Sequence, residues 1–182
     1  MHLRPRLLFF LVILCSVLSA QRDTLPRFPQ DFVGDWAGTL EVMTPAGVAQ
    51  AVPMELLIQP LTDTSYTYVI IYGEDREAGK RDYFIYRGPD GPHHWVCDEQ
   101  NQILLDGYYL GGSYQSAFTV MGNYLTSSLE HRGDHLLYTI QMWPERAVRT
   151  SGGDSTAAEP VPAVNSFNIR VFQRARLTRK TK

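Results

Sequence analysis

Phe32-Val33-Gly34-Asp35-Trp36-Ala37-Gly38-Thr39-Leu40-Glu41-Val42 is the stretch on which the fold turns. It is an F-x-G-x-W-x-G pattern that runs straight into a strand. Beyond it, almost every segment repeats its apolar residues with period two and almost none with the 3.6 period of a helix, so the chain is nearly all β. Strand candidates are Trp36 to Met43, Ala51 to Gln59, Ser65 to Tyr72, Asp82 to Arg87, His94 to Asp98, Ile103 to Tyr109, Ser116 to Met121, Tyr124 to Glu130, Leu136 to Trp143 and Asn165 to Leu177. Most connections are short and rich in turn formers, such as Pro45-Ala46-Gly47, Gly111-Gly112, Gly122-Asn123 and Arg132-Gly133-Asp134. Short loops force neighbouring strands to pair antiparallel. The expected architecture is one antiparallel, up-and-down meander barrel of about eight to ten strands, with the last strand returning to cover the bare edge of the first.

The opening pattern resembles the N-terminal motif of lipocalins and other calycin barrels. That resemblance implies that Phe32, Gly34, Trp36 and Gly38 form the barrel closure, the glycine turning the chain tightly into the floor and the tryptophan plugging the closed end. It also implies an arginine near the end of the last strand, packed over the tryptophan in a cation–π contact of about 0.5–2 kcal/mol. Arg174 and Arg176 are the candidates. The resemblance covers the two chain ends and the strand count. Lipocalins proper carry a helix after the barrel and usually a disulfide, whereas this chain ends Leu177-Thr178-Arg179-Lys180-Thr181-Lys182 with neither. The likeness is therefore to the wider calycin group, which includes fatty-acid-binding and haem-binding barrels and avidins. The stretch from His94 to Asn123 is also similar to small secreted bacterial proteins with no assigned activity.

Residues 1–20 read as a secretory signal peptide: His2, Arg4 and Arg6 precede an apolar run from Leu7 to Leu18, followed by Ser19-Ala20. The run falls short of the roughly twenty residues of a membrane span. Lipidation at Cys15 is disfavoured by the bulky Leu14 before it. The expectation is an exported protein, periplasmic or secreted, whose mature form starts at Gln21 and comprises one barrel domain over 21–182. That form carries 15 Lys+Arg against 19 Asp+Glu, and its basic cluster is confined to the tail, which gives no footing for nucleic acid. With Cys15 removed only Cys97 remains, so no internal disulfide can form. The strand His94-Trp95-Val96-Cys97-Asp98 puts Cys97 on the face of Trp95, as a buried, inert thiol. The stretch 145–162, with Ser151-Gly152-Gly153-Asp154-Ser155 and Pro160-Val161-Pro162, reads as a mobile loop within the domain.

The chain is poor in catalytic patterns. His93 and His94 are adjacent in a strand and point to opposite faces. His131 and His135 flank the turn Arg132-Gly133-Asp134 and are weak metal candidates, since a third ligand would have to come from elsewhere, Asp134 or His93 being nearest. A haem barrel needs an axial histidine late in the chain, and none follows His135. Asp98-Glu99-Gln100-Asn101 is explained by turn chemistry and lacks the oxygen ligands of a calcium loop. No G-x-S-x-G elbow occurs, and Cys97 and His94 face apart on one strand. Arg132-Gly133-Asp134 spells an adhesion tripeptide in what is ordinary hairpin composition.

What remains is the aromatic supply. If Tyr66, Tyr68 and Tyr72 face inward with Met54, Leu56, Ile58, Trp95 and Phe118, they would line a polar-aromatic cavity for one small molecule. The competing arrangement fills the barrel, or turns Thr67, Val69 and Ile71 inward instead. The leading expectation is a non-enzymatic, cofactor-free barrel that binds a small hydrophobic or amphipathic ligand. The second is a filled barrel working through its outer surface and the 145–162 stretch. A third is a metal- or haem-dependent activity, with His131, His135 and Asp134 as the cluster to test. The sequence does not set the oligomeric state.

Overall fold

A computed structural model describes residues 25–153 and 159–181; the signal segment 1–20 lies outside them. After a 3-10 turn at Gln30–Phe32 the chain enters β1 (Gly34–Thr44) and turns back as β2 (Gly47–Ile58). There follow β3 (Pro60–Thr62), β4 (Ser65–Tyr72), a one-turn helix α1 (Arg76–Gly79), β5 (Lys80–Arg87), β6 (His94–Asp98) and β7 (Leu104–Leu110). The second half comprises β8 (Ser113–Val120), β9 (Asn123–His131), β10 (His135–Pro144), β11 (Arg149–Ser151), β12 (Val164–Ser166) and β13 (Val171–Arg179). No helix among the described residues is long and apolar enough to cross a membrane.

Ten strands form a closed antiparallel barrel in the order β2-β1-β13-β10-β9-β8-β7-β6-β5-β4, and β2 pairs with β4 to complete the ring. This is the up-and-down meander that the period-two pattern and short turns dictate, with β3 as an extra strand beside β4. Closure comes from β13, which enters between β1 and β10 and pairs with both. The β2–β4 pairing over Met54–Leu57 covers edges that an open sheet would leave bare there, which is the physical advantage of closing a sheet.

The stretch from Asn165 to Leu177, read above as one strand, is two. Val164–Ser166 pairs with Arg149–Ser151 in a separate two-stranded ribbon, and only Val171–Arg179 belongs to the barrel. All six ribbon residues are exposed, and the ribbon is held by its backbone ladder and a 2.6 Å hydrogen bond between the Thr150 hydroxyl and Asn165 Oδ1. A ribbon without an apolar face leaves no alternation to detect, which is why β11 was hidden inside an expected loop.

The floor is built from both ends of the chain. Trp36 is 1% exposed, and its indole Nε1 donates to the Phe32 carbonyl at 2.9 Å. Phe28 and Phe32, from before β1, are buried with it, Phe28 stacked 4.3 Å from Tyr114. Around them pack Leu56 and Ile58 of β2, Ile85 of β5, Trp95 of β6 and Leu177 of β13. Two glycines of the opening pattern are sterically required. A Cβ on Gly38 would stand 2.1 Å from the Arg176 carbonyl oxygen across the β1–β13 ladder, and one on Gly34, at φ +150°, would stand 2.3 Å from Arg179 Nη1.

The arginine over the plug is neither of the two expected. Arg179 places its guanidinium 4.4 Å from the Trp36 ring centroid, while Arg174 pairs with Glu41 at 3.2 Å and Arg176 with Asp134 at 3.0 Å, on the outer face. Register explains it: Arg179 lies directly opposite Trp36, and in β13 the buried residues are Ala175 and Leu177, so residue 179 continues the inward face and 174 and 176 the outward one.

Candidate functional site

Above the floor the inward positions continue toward the opposite end of the barrel and change in character. On β4, Tyr66, Tyr68 and Ile70 all belong to the packed core, with Tyr72 against it, and Tyr68, Ile70 and Tyr72 also line an interior cavity of about 160 Å³. Tyr83 of β5 and Cys97 of β6 face it from one side, with Glu99 just past the end of β6. Tyr114, Ser116 and Phe118 of β8, Ser127 of β9, and Tyr138 and Ile140 of β10 face it from the other. A wider recess of about 500 Å³, between β1, β2, β10 and β13, adjoins it and shares Tyr72 and Ile140.

The cavity is thus walled by five tyrosines and one phenylalanine. Burial pushes the Tyr68 and Tyr138 hydroxyls well above their ordinary range. Burial also raises Tyr114, and it raises Tyr72 against the opposing influence of the Tyr138 hydroxyl and the Arg81 guanidinium. Tyr83 is pushed up to about 12, first by burial and then by the Glu99 carboxylate. All five therefore stay protonated and neutral near pH 7, available as hydrogen-bond donors and as aromatic faces. The Tyr114 hydroxyl donates to the Trp95 carbonyl at 3.5 Å.

Cys97 points into the same space but is no nucleophile. It is 8% exposed, and burial, then Glu99 and Asp98, push its thiol up to about 12. A thiolate is what reacts, and this environment suppresses it. His94 is buried on the outer side of the same strand. The Asp90 backbone N–H donates to its Nδ1 at 3.2 Å, so the ring proton sits on Nε2 and is donated to Asp106 at 2.7 Å, with Tyr108 stacked 4.8 Å away. Both ring nitrogens are thereby engaged in hydrogen bonds.

The residues singled out from the sequence divide by height along the barrel axis. Tyr68, Tyr72 and Phe118 surround the cavity; Met54, Leu56, Ile58, Tyr66 and Trp95 are packed in the core and are not among its walls. Tyr138, Tyr83, Tyr114, Glu99 and Ser127 join the walls without having been selected, although alternation from Leu136 through Tyr138 to Ile140 carried the information for β10. The histidines flanking the Arg132-Gly133-Asp134 turn part company. His131 lies edge-on to Trp36 and Phe32 beneath the floor, and His135 binds Asp134 at 2.6 Å on the outside. Among the described residues no group of three His, Cys, Asp or Glu side chains is placed to hold a metal ion.

One other surface is unusual. Tyr124, Trp143, Phe167 and Ile169 gather around an external groove of about 470 Å³, with Phe167 edge-on to Tyr124 at 6.0 Å. Phe167 and Ile169 lie in the segment between β12 and β13, so the break in the expected last strand is what brings them there.

No protein-family model, curated protein or solved structure matches this chain. The closed ten-strand antiparallel barrel is consistent with a calycin-like fold.

Proposed function

We propose that this is an exported, calycin-like binding barrel that takes one small amphipathic ligand into the cavity opposite the Trp36 floor, without covalent chemistry. The observation that carries this reading is the change in composition along the axis. The floor is sealed by Trp36, Phe32, Leu56, Ile58 and Leu177, all at most 1% exposed, whereas the other end keeps a cavity of about 160 Å³ walled by five tyrosines. Binding sites are typically concave, mostly apolar and equipped with a few placed polar groups. The ligand is held by ring faces and hydroxyls, while Cys97 in the cavity wall stays a neutral thiol.

The test begins with native mass spectrometry of purified protein, which detects a co-purified small molecule directly. It continues with a filled variant, Ser127→Leu, titrated against compact amphipathic probes such as phenol and choline. Saturable binding to the parent that is lost in a folded Ser127→Leu protein is the expected result. Equal binding by both proteins, or none by either, would overturn the reading. N-terminal sequencing of exported protein checks the leader, with Gln21 the residue expected first.

The second reading, a barrel that works through its outside, is favoured by one observation: Tyr124, Trp143, Phe167 and Ile169 present an exposed apolar groove beside the β11–β12 ribbon. Exposed apolar surface of this kind marks interaction sites. Self-association in sedimentation experiments, abolished by Phe167→Ser with the cavity binding unchanged, would favour it.

A further inference from the structure

Resting on the binding reading above, we infer that the ligand is a compact organic cation, a methylated or quaternary ammonium, held in an aromatic cage and neutralised by Glu99. Three observations set the sign, the size and the chemistry. Among the residues lining the cavity, Glu99 is the sole charged side chain. Its Oε2 accepts from the Asn101 amide at 3.4 Å, and among the described residues no Lys, Arg or His forms an ion pair with it. A carboxylate at the mouth of a small cavity repels anions and rewards cations.

The walls favour the same sign. Aromatic faces carry negative electrostatic potential and attract cations that are weakly hydrated, most of all those bearing methyl groups that also gain from apolar contact. Six rings surround this cavity, those of Tyr68, Tyr72, Tyr83, Tyr114, Tyr138 and Phe118. The cation that already lies near, Arg81, is held outside by bonds from its Nη1 to the Ala78 and Lys80 carbonyls at 3.1 and 2.8 Å. Size restricts the class further. At about 160 Å³ the space is close to that of an engineered apolar cavity of about 150 Å³ that accommodates benzene. A trimethylammonium group with a short hydroxylated arm is of that order, whereas a long acyl chain exceeds this cavity and would have to extend into the adjoining recess.

The chemistry is tested by comparing choline with its uncharged isostere 3,3-dimethylbutan-1-ol by calorimetry on the parent protein, Glu99→Gln, Tyr138→Phe and Tyr138→Leu. Choline is expected to bind roughly tenfold or more tightly than the isostere, from the combined cation–π and charge terms. Glu99→Gln, at the rim, should remove most of that preference without disturbing the core. Tyr138→Phe keeps the ring and should keep choline binding within about threefold, while Tyr138→Leu should lower it roughly tenfold; circular dichroism confirms that each variant is folded. Equal affinity for the two probes in the parent, or no change on Glu99→Gln, overturns the cation assignment and leaves the binding reading standing. Binding of neither probe by the parent overturns the assignment as well, and the Ser127→Leu comparison with phenol then decides whether the binding reading falls with it.

Discussion

Replacing Trp36 with alanine tests how the floor is made. The ring is 1% exposed, so its removal forfeits the transfer free energy of the whole side chain and leaves a void that a closed barrel can collapse only in part. Such substitutions cost about 3–5 kcal/mol. Two specific contacts go with it. The Phe32 carbonyl loses the 2.9 Å bond from Nε1, a contribution of about 1 kcal/mol, and the Arg179 guanidinium loses the ring face 4.4 Å away, about 0.5–2 kcal/mol. These overlap with the burial term and do not simply add. A loss of 3–5 kcal/mol in a chain of this length lowers Tm by about 6–20 °C. The assay is urea unfolding followed by far-ultraviolet circular dichroism, which does not depend on the indole removed. Trp36→Phe should recover more than half of the loss, since it restores a ring for packing and for Arg179 but not the hydrogen bond. The arginines supply the internal control: Arg179→Gln should destabilise the parent and do little in the Trp36→Ala background, whereas Arg176→Gln, whose partner Asp134 is exposed, should stay within about 0.5 kcal/mol in both. A Trp36→Ala protein within about 0.5 kcal/mol of the parent would refute the plug.

Two further outcomes follow from the cavity. Cys97 should resist alkylation by iodoacetamide at pH 7.5 in the folded protein and react fully once unfolded, because its thiol is pushed up to about 12; prompt modification of the native state would show that the cavity admits water and reagent freely. The tyrosines tie stability to alkaline pH. Their folded-state values are raised above the ordinary 10, Tyr83 to about 12, so their contribution is intact below about pH 10 and is lost as the pH climbs from about 10 through about 12, where the unfolded chain releases protons that the fold retains. Denaturation midpoints measured from pH 8 to 12 should fall steadily above about 10, and a flat profile would contradict the buried cluster.

The barrel was legible because its two determinants are local. Alternation marks each strand, and turns such as Arg132-Gly133-Asp134 are too short to do anything but reverse the chain. Two features escaped for a physical reason. The β11–β12 ribbon carries no apolar face, so its pairing leaves no periodic trace. The arginine over Trp36 depends on parity in β13, and the decisive residues there are the apolar Ala175 and Leu177, whose burial puts Arg179 on the inside and Arg174 and Arg176 on the outside. For the cavity, alternation reports which side of the sheet a residue faces and nothing about its height along the barrel. Leu56 and Tyr72 both point inward, but Leu56 is opposite Trp36 in the β1–β2 register while Tyr72 is opposite Met54, one step nearer the mouth. Height is a property of the register of all ten strands together, and a single strand cannot reveal it.

That vertical order bears on why the interior contains tyrosine at all. A barrel that needed only to be filled would be served by the residues at its floor, where Met54, Leu56, Ile58, Leu129, Leu136 and Leu177 bury no polar atom in their side chains. Each buried phenol brings a hydroxyl that costs free energy unless it finds a partner. For Tyr114 that partner is distant: its hydroxyl reaches the Trp95 carbonyl at 3.5 Å. Leucine on β4 and β10, as at Leu136 a single inward step below Tyr138, would have closed the space at lower cost. The tyrosines instead hold open a cavity whose walls are aromatic and whose donors are neutral, with one carboxylate at its mouth. Stability alone does not call for that arrangement; the recognition of a small polar or charged molecule proposed above would.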